Sequence, residues 1–477
     1  MKLRDVLRGV ADSGDDTEIT AVTADSRLVT KGALFVAIPG FQTDGAKFIE
    51  QAREKGAAAI ITAAEVDDPR AALALIAANF YGRPADQLTL VGVTGTSGKT
   101  TTTKMLESIF DAGGDPVGLV GTIEYRAGDE RLSADRTTPD AVVLQEWFAK
   151  MVAAGVRRAV MEVSSHALAL KRTHGVRFAA AAFTNLSQDH FDFHKDFEDY
   201  YRAKRILFDQ IDGADRAVIN ADDEYGQRLL RELGGGMTFG EKGDIRRSKD
   251  LVISTHGLRG TLHTPAGDVC VESSMLGLPN LYNWMAAVGA AIVVDTPIEQ
   301  IEDGIRNLES VRGRFEYVPS EGGGPAVIVD YAHKPDALEK LLPAVRTLAP
   351  DRKITVIFGC GGDRDKDKRP KMGAIAARLA DRVVLTSDNP RGEKPEAILD
   401  DIERGMSGAG NYARITDRRE AIARTIAEAA EGDVIVIAGK GHETYQVVGD
   451  QVIHFDDREE AELALKKKHE KSNTKSV

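Results

Sequence analysis

The stretch that decides the fold is Gly92-Val93-Thr94-Gly95-Thr96-Ser97-Gly98-Lys99-Thr100-Thr101. It completes an apolar, β-rich run at residues 88–94 and opens a helical pattern at Lys99. A strand followed by a glycine-rich turn and a helix N-terminus is the setting in which backbone N–H groups bind phosphate. Lys99 supplies positive charge for the β- and γ-phosphates, and the Thr100 hydroxyl suits Mg²⁺. The stretch therefore predicts a nucleotide-binding phosphate loop.

The loop departs from the strict phosphate-loop pattern at one position. Val93 stands five residues before Gly98, where that pattern has glycine. A glycine-rich turn without a ligand is the alternative interpretation. We favour the phosphate loop because the strand, the turn, the Lys-Thr pair and the helix agree with one another.

Apolar runs alternate with helical patterns on both sides of the loop. In the central part, strand runs are predicted at 158–163, 178–184 and 216–220, with a helix at 141–154. A second series has strand runs at 326–331, 354–359, 382–386 and 434–438 and helices at 335–348, 370–380 and 418–430. This alternation predicts an α/β protein whose mostly parallel sheets carry helices on both faces. A smaller N-terminal unit has strand runs at 33–38 and 57–62, so we predict domains at 1–87, 88–312 and 313–477.

Composition excludes several classes of protein. The 477 residues include 62 Lys and Arg against 74 Asp and Glu, a net charge of −12, which disfavours general binding to nucleic acids or membrane surfaces. The two cysteines, Cys270 and Cys360, exclude a disulfide framework and a Cys-rich zinc site. Residues 1–10 lack the apolar core of a signal peptide, and no apolar window is long enough to cross a bilayer. We expect a cytoplasmic protein.

Polar residues follow two of the central strand runs. Glu162 ends one run, at the edge of the sheet where ligands bind, so it could share a Mg²⁺ with Thr100; a solvated Glu is equally compatible with the sequence. His190 and His194 follow the next run at a spacing that suits a metal pair on a helix. Their surroundings are typical of a loop, which favours a hard-metal or polar substrate site over zinc. Lys204, taken alone, is one more surface lysine.

The C-terminal series carries four polar turns at strand ends. They are residues 330–335, 359–365, 387–391 and 439–443. Four such turns at one edge of a sheet predict a composite small-molecule site. Arg364 and Arg391 can each bind a carboxylate in bidentate fashion, so the ligand is expected to carry carboxylates. Cys360 has no evident base partner and is interpreted as a small buried residue.

Together these motifs resemble the Mur ligase family over essentially the whole chain, with the loop in that family's T-G-T-x-G-K-T-T form at residues 94–101. The resemblance implies an N-terminal domain for a UDP-sugar substrate, a central ATPase domain and a C-terminal Rossmann-like domain. It implies ATP-dependent formation of an amide bond through an acyl phosphate, with Mg²⁺, in peptidoglycan precursor synthesis. The protein is then expected to act as a monomer on small molecules, with no nucleic-acid or membrane partner.

The resemblance also assigns residues to roles. On the ATP side it implies Gly95, Thr96, Ser97, Gly98, Lys99, Thr100, Thr101, Asn280, Asn283, Arg314 and Asp330. For UDP-N-acetylmuramoyl-L-alanyl-D-glutamate it implies Ser26, Thr137, Thr138, Ser164 and Arg172. Thr100, Glu162, His190 and Lys204 match metal-binding positions, and Lys99, Glu162, His190 and Lys204 are the implied catalytic set. Lys204 matches a lysine that the family carries as a carbamate, which replaces the surface-lysine interpretation, since an ammonium cannot bind Mg²⁺.

The family's diaminopimelate signature, D-N-P-R, is present as Asp388-Asn389-Pro390-Arg391. Arg364, Gly439 and Glu443 match further contacts, so the expected amino acid is meso-2,6-diaminopimelate. Its second carboxylate suits an arginine, and lysine lacks that carboxylate. The alternatives are the same ligation with L-lysine or a folylpolyglutamate-synthetase-like reaction. Two departures, Arg136 and Leu170, concern fine contacts to the nucleotide substrate.

Overall fold

Parallel strands separated by helices make up most of the molecule, in a computed structural model that describes residues 1–40, 43–319 and 324–474. The chain forms two compact units. The first comprises Met1–Ser248, Leu262–Val269 and Tyr282–Asn307, and the second Lys249–Thr261, Cys270–Leu281 and Leu308–Val477. The first unit contains the predicted N-terminal domain and most of the predicted central domain. The boundaries near residues 87 and 313 remain predictions.

The N-terminal part is a small parallel sheet with strand order β1-β2-β3. Its elements are α1 (Leu3–Val6), β1 (Ala21–Thr23), β2 (Ala33–Val36), α2 (Ile49–Glu54), β3 (Ala59–Ile61) and α3 (Pro69–Phe80). Both strands predicted here are present, each a few residues shorter than its apolar run. Helix α3 begins where Asp68 accepts hydrogen bonds from the N–H groups of Arg70 and Ala71, with Pro69 in the first turn.

The central part is an eight-stranded sheet in the order β11-β10-β9-β4-β8-β5-β6-β7. Its elements are β4 (Thr89–Thr94), α4 (Lys99–Asp111), β5 (Val117–Val120), β6 (Glu124–Ala127), β7 (Glu130–Ser133), α5 (Ala141–Ala153), β8 (Arg158–Glu162), α6 (Ser165–Ala169), β9 (Ala180–Phe183), α7 (Phe197–Arg205), β10 (Ala217–Asn220), α8 (Glu224–Leu233) and β11 (Met237–Phe239). All pairings are parallel except those of β6 with β5 and β7. Strand β4 lies between β8 and β9, which explains its continuous apolar run.

A small antiparallel sheet follows, which the sequence analysis did not predict. Its strands are β12 (Arg246–Arg247), β13 (Val252–Ser254), β14 (Gly257–Thr264) and β15 (Gly267–Ser273), and β14 pairs with the other three. Helices α9 (Gly277–Val293) and α10 (Ile298–Asn307) come next. The alternating burial of β15, with Val269 and Val271 buried, is the two-residue period that would have identified this strand.

The C-terminal part is a six-stranded sheet in the order β16-β17-β21-β18-β19-β20, parallel except for β16. Its elements, with a terminal hairpin and helix, are β16 (Glu316–Val318), β17 (Ala326–Asp330), α11 (Pro335–Leu348), β18 (Ile354–Phe358), α12 (Lys368–Leu379), β19 (Arg382–Leu385), α13 (Pro395–Glu403), β20 (Tyr412–Arg414), α14 (Arg418–Glu428), β21 (Val434–Ala438), β22 (Tyr445–Val448), β23 (Gln451–His454) and α15 (Asp457–Thr474). The predicted second α/β unit is therefore confirmed.

Two hydrophobic cores cover the two faces of this sheet. Val356 and Phe358 of β18 pack with α11, α12 and α13, whereas Ile357 packs with α14 and α15. Side chains that alternate along one strand thus enter different cores, as expected for a sheet with helices on both sides. Among the described residues, no helix is both long and apolar enough to span a membrane.

Candidate active site

Two glycines give the phosphate loop its shape. Gly95 and Gly98 have φ angles of 150° and 87°, in the region that favours glycine. A Cβ atom on Gly95 would lie 1.9 Å from Thr184 Oγ1, and one on Gly98 would lie 2.5 Å from Asn283 Oδ1. Both positions therefore need glycine for their conformation and for the space around them.

The turn after β9 holds the loop in place. The Thr184 hydroxyl donates to the Ser97 carbonyl at 2.6 Å, and the Ser97 N–H donates to Asn185 Oδ1 at 3.0 Å. The Thr96 N–H donates to the Asn185 carbonyl at 2.8 Å. These bonds join the carboxyl ends of two adjacent strands, β4 and β9, so the loop is positioned by the sheet itself.

Lys99 folds back over the loop that precedes it. Its Nζ donates to the carbonyl oxygens of Gly95 and Thr96 at 2.8 and 3.0 Å. The ammonium charge is therefore fixed against the glycine-rich backbone at the start of α4, beside the N–H groups available to an anion.

Glu162 ends β8 and is buried, with 1% of its surface exposed. Its carboxylate accepts hydrogen bonds from the Thr100 hydroxyl at 2.9 Å, the Thr122 N–H at 2.7 Å and the Thr122 hydroxyl at 3.0 Å. The solvated-Glu interpretation is therefore wrong. Sequence reasoning missed Thr122, although its position two residues after β5, at the same sheet edge, was a usable signal.

Lys204 is buried rather than on the surface, with 1% exposure. Its Nζ donates to the Gly95 carbonyl at 2.7 Å and lies 4.4 Å from the centre of the Tyr200 ring. Burial lowers the pKa of Lys204 well below its usual 10.5, the charge of Lys99 lowers it further, and Asp189 opposes both. The amine is thereby biased towards its neutral, nucleophilic form.

The two histidines after β9 do not form a zinc pair. His194 is buried, and its ring nitrogens lie 3.0 Å from Ser165 Oγ and 3.2 Å from Asp199 Oδ2. The His190 Nε2 lies 3.4 Å from the Asp189 carboxylate, and His190 has a φ of 57°, uncommon for a residue with a side chain. The segment is a loop, as predicted.

Four of the five residues predicted for the nucleotide substrate lie together. The Thr138 hydroxyl donates to the Glu162 carbonyl at 2.8 Å and accepts from the Ser164 N–H at 3.1 Å. Arg172 donates to the Thr138 carbonyl at 2.7 Å, and the Thr137 and Thr122 hydroxyls are 3.0 Å apart. This group therefore adjoins the buried carboxylate.

Ser26 is the fifth residue predicted for the nucleotide substrate, and Arg136 is one of the two departures from the family's pattern. Ser26 is separate from that group: it follows β1, is buried, and its carbonyl accepts from Lys55 Nζ at 3.0 Å. Arg136 lies 3.1 Å from Asp140, which also lies 3.1 Å from Arg172. Arg136 and Arg172 therefore share the Asp140 carboxylate.

The described residues contain no group of three or more His, Cys, Asp or Glu side chains able to hold a metal ion. The available donors are instead the Thr100 hydroxyl and the Glu162 carboxylate, which are already in contact. Hard oxygen donors of this kind suit Mg²⁺. Lys204 can add to them only if its amine becomes an oxygen ligand.

The remaining ATP-side residues fall in the second unit, apart from Asn283. The Asp330 carboxylate accepts from the N–H groups of Phe315 and Ala332 at 2.7 and 2.8 Å, and burial raises its pKa. The Arg314 guanidinium lies 4.8 Å from the centre of the Tyr331 ring. Asn280 is buried and donates at 2.9 Å to the carbonyl of Leu276, the residue just before its helix α9.

Turns after β18, β19 and β21 meet at one edge of the C-terminal sheet. The Gly362 N–H donates to the Asn389 carbonyl at 2.9 Å, and the Asn389 side-chain amide donates to Glu443 Oε2 at 2.9 Å. A Cβ on Gly439 would lie 3.2 Å from Asp388 Oδ2. Three of the four polar turns predicted for one site are thus in contact, those at residues 359–365, 387–391 and 439–443. Cys360 is buried, as predicted, and burial raises its pKa to about 12.

Arg391 is held by its backbone as well as by its side chain. Its guanidinium donates to the Gly362 carbonyl at 2.9 Å. Its N–H donates to the Val447 carbonyl at 3.0 Å, and the Gly449 N–H donates to its carbonyl at 2.8 Å, which ties the turn to the hairpin β22–β23. Arg391 has a φ of 50°, another uncommon conformation in this site. Arg364 lies in the neighbouring turn and donates to the Asp363 carbonyl at 3.1 Å.

Comparison with family models identifies three successive parts of the chain. The Mur ligase family catalytic domain matches residues 18–77, the Mur ligase middle domain 93–291, and the Mur ligase glutamate ligase domain 313–441. Their order agrees with the three-part architecture predicted from the sequence.

Individual relatives match over nearly their whole length. The UDP-N-acetylmuramoyl-L-alanyl-D-glutamate–2,6-diaminopimelate ligase of Bacillus licheniformis is 46% identical over 468 residues, which cover 94% of this chain and 95% of the relative. The enzyme of the same name from Gloeobacter violaceus is 47% identical over 466 residues, 95% of each chain. A solved structure of a protein with this name has a TM-score of 0.71 and 32% identity, and the match covers 98% of this chain and 99% of that one.

Replacing Lys204 by Met is expected to stabilise the fold, most strongly at low pH. The unfolded chain keeps the Lys204 proton up to a pH near 10.5, whereas the folded chain releases it at a much lower pH. The unfolded state therefore binds more protons in that window, and the stability of the native chain rises with pH. The gain in melting temperature for Lys204→Met should shrink as pH rises from about 6 to about 9 in carbonate-free buffer. The exposed Lys242→Met is the control, and a gain independent of pH would contradict the argument.

Proposed function

Because the chain belongs to the Mur ligase family, we propose that it is the ATP-dependent ligase that adds meso-2,6-diaminopimelate to UDP-N-acetylmuramoyl-L-alanyl-D-glutamate. The observation that carries this conclusion is the 46–47% identity, over nearly the full length, to two enzymes with that name. The reaction belongs to peptidoglycan precursor synthesis. The chain acts in the cytoplasm, as a monomer, on small molecules alone.

The chemistry is the activation of a carboxylate that is otherwise a poor acyl donor. The γ-carboxylate of the D-glutamyl residue attacks the γ-phosphorus of ATP, so a C–O–P linkage forms and ADP leaves. The amine of diaminopimelate then attacks the acyl carbon, an amide bond forms, and inorganic phosphate leaves with release of a proton. The protein must hold together three substrates that all carry anionic groups and must keep water from the acyl phosphate.

The phosphate loop performs the first part of this task. Residues 95–101 present backbone N–H groups and the Lys99 ammonium to the phosphates of ATP, in a shape fixed by Thr184 and Asn185. Asn280, Asn283, Arg314 and Asp330 complete the nucleotide contacts. Thr137, Thr138, Ser164 and Arg172 hold the muramoyl dipeptide beside Glu162, and Ser26 contacts its uridine.

Thr100, Glu162, His190 and Lys204, as a carbamate, would hold Mg²⁺, which would neutralise phosphate charge when bound. The carbamate forms when the neutral Lys204 amine attacks CO₂, making an N–C bond and releasing a proton. The depressed pKa of Lys204 supports this step, because only the neutral amine is nucleophilic. The two carbamate oxygens would add hard donors to those of Thr100 and Glu162.

Diaminopimelate binds to the turns of the C-terminal sheet. Arg364 and Arg391 receive the carboxylate of its distal amino-acid group, and Asp388, Asn389, Pro390, Gly439 and Glu443 form the rest of the site. A guanidinium binds a carboxylate with two parallel hydrogen bonds. L-lysine has no carboxylate at its distal end to accept them. The site therefore selects diaminopimelate by its second carboxylate.

Phosphate release should require ATP, the UDP-muramoyl dipeptide and diaminopimelate together. Lys99→Ala should lower kcat/KM by about a thousandfold or more, because a cation at the transferring phosphoryl group is lost. Lys150→Ala, which removes a lysine of similar length from a surface ion pair, is the matched control. The measurement is release of inorganic phosphate with identification of the tripeptide product by mass spectrometry. Turnover that does not depend on the amino acid would exclude this function.

Incubation with carbon-13-labelled bicarbonate should produce a carbamate carbonyl resonance in the native protein and none in Lys204→Met. The signal should disappear reversibly when the protein is dialysed against carbonate-free buffer at acidic pH, since protonation drives carbamate breakdown. The measurement is the carbon-13 NMR spectrum. An identical resonance in both proteins would place the modification elsewhere.

Arg391→Ala should raise the KM for diaminopimelate by about tenfold to a hundredfold, because a charge-assisted bidentate contact is lost. The KM values for ATP and the UDP-muramoyl dipeptide should change little. Arg404→Ala, which removes an exposed arginine of the same sheet domain, is the control. The assay offers diaminopimelate and L-lysine together, and unchanged preference in Arg391→Ala would show that this arginine does not set selectivity.

A further inference from the structure

A fully buried lysine lies against the turn proposed to bind diaminopimelate. Lys440 follows Gly439 at the carboxyl end of β21 and has 0% of its surface exposed. Its Nζ lies 3.1 Å from Asn389 Oδ1 and 3.5 Å from both Asp388 Oδ1 and Glu443 Oε2. A buried ammonium is tolerated only when nearby groups compensate its charge. The cation and the two carboxylates therefore form one electrostatic unit.

Lys440 also fixes the direction of the Asn389 side chain. Asn389 Oδ1 accepts from Lys440 Nζ and from the Val447 N–H at 3.0 Å, so two donors face this oxygen. The opposite end of the amide, Nδ2, then donates to Glu443 Oε2 at 2.9 Å. An amide has one accepting and one donating end, so the two donors orient the group. The position of the Glu443 carboxylate thus depends on Lys440 both directly and through Asn389.

The charge of Lys440 also affects the protonation of the Glu443 carboxylate. Burial raises the pKa of Glu443, Lys440 pulls it down, and the Asp388 carboxylate raises it. Without the lysine, two carboxylates would share a buried space with less positive charge between them. The pKa of Glu443 would then rise further, and a protonated carboxyl is a poorer acceptor for an ammonium group.

The distal group of meso-diaminopimelate has an ammonium and a carboxylate. Under the proposed function, on which this inference rests, the arginines receive the carboxylate and the acidic side chains receive the ammonium. We propose that Lys440 is the positioning residue that holds Asp388, Asn389 and Glu443 in the orientation that receives the amino group of diaminopimelate. Lys440 itself does not contact the ligand, because its ammonium is occupied by these three partners.

Lys440→Met should raise the KM for diaminopimelate by about tenfold or more, while the KM values for ATP and the UDP-muramoyl dipeptide stay within about twofold. Lys440→Gln retains a donor for Asn389 but carries no charge, and it should show a similar rise in the KM for diaminopimelate. It also serves as the second variant if Lys440→Met does not fold. Arg346→Met is the matched control. It removes a cation from an ion pair with Asp381 at the amino ends of the strands, on the opposite edge of the same sheet.

A double-mutant cycle separates positioning from a general loss of structure. If Lys440 acts through Glu443, adding Lys440→Gln to Glu443→Gln should raise the KM for diaminopimelate by less than about twofold beyond Glu443→Gln alone. Multiplicative effects in the double variant, or equal rises in all three KM values, would overturn the positioning role. An unchanged KM for diaminopimelate in a folded Lys440→Gln protein would do the same.

The native enzyme provides the test of the underlying function. If the native protein releases phosphate at the same rate with and without diaminopimelate, the proposed function is refuted. Native protein that requires diaminopimelate, together with a normal KM in both Lys440 variants, would refute only the role of Lys440.

Discussion

One carbonyl oxygen, that of Gly95, accepts hydrogen bonds from two lysines. Lys99 reaches it from the start of α4 at 2.8 Å, and Lys204 reaches it from α7 at 2.7 Å. Two ammonium groups at such a distance from one acceptor repel each other, and the more deeply buried one responds by losing its proton more easily. Burial lowers the pKa of Lys204 most and the charge of Lys99 lowers it further, so a lysine of the phosphate loop contributes to the protonation state of a side chain more than a hundred residues further along the chain.

This arrangement is possible because the sheet brings strand ends together. Strands β9, β4, β8 and β5 are consecutive neighbours, so their carboxyl ends place Thr184, Gly95, Glu162 and Thr122 along a single edge. The same principle operates in the C-terminal sheet, where turns after β18, β19 and β21 meet. Residues that are far apart in sequence act together because parallel strands point in one direction.

Much of this could be predicted from the sequence. Apolar runs predicted eight strands of the two larger sheets to within about two residues, because β-strands buried on both faces leave continuous signals: β4, β8, β9, β10, β17, β18, β19 and β21. The other described strands of these sheets, β5, β6, β7, β11, β16 and β20, were not predicted. The short, half-exposed strands of the antiparallel sheet were missed, since alternation over a few residues is a weak pattern. Burial was the property that the sequence failed to indicate. Lys204 was distinguishable from a surface lysine only by family resemblance, and Lys440 was not singled out although it lies in the predicted polar turn at residues 439–443. Thr122 follows β5, a strand that was not predicted. The roles of Thr122 and Lys440 depend on which turns become neighbours, and local patterns do not contain that information.

Because Arg391 is bonded to the hairpin β22–β23 through its main chain, the shape of its turn does not depend on its side chain. Main-chain bonds to Val447 and Gly449 hold the turn, so another residue at this position would change the charge offered to a ligand while the backbone kept its course. The φ of 50° restricts which residues can take part, favouring glycine or asparagine and opposing β-branched types. A single substitution here can therefore change the charge of the turn without moving its backbone, and backbone sterics limit which residues can be substituted.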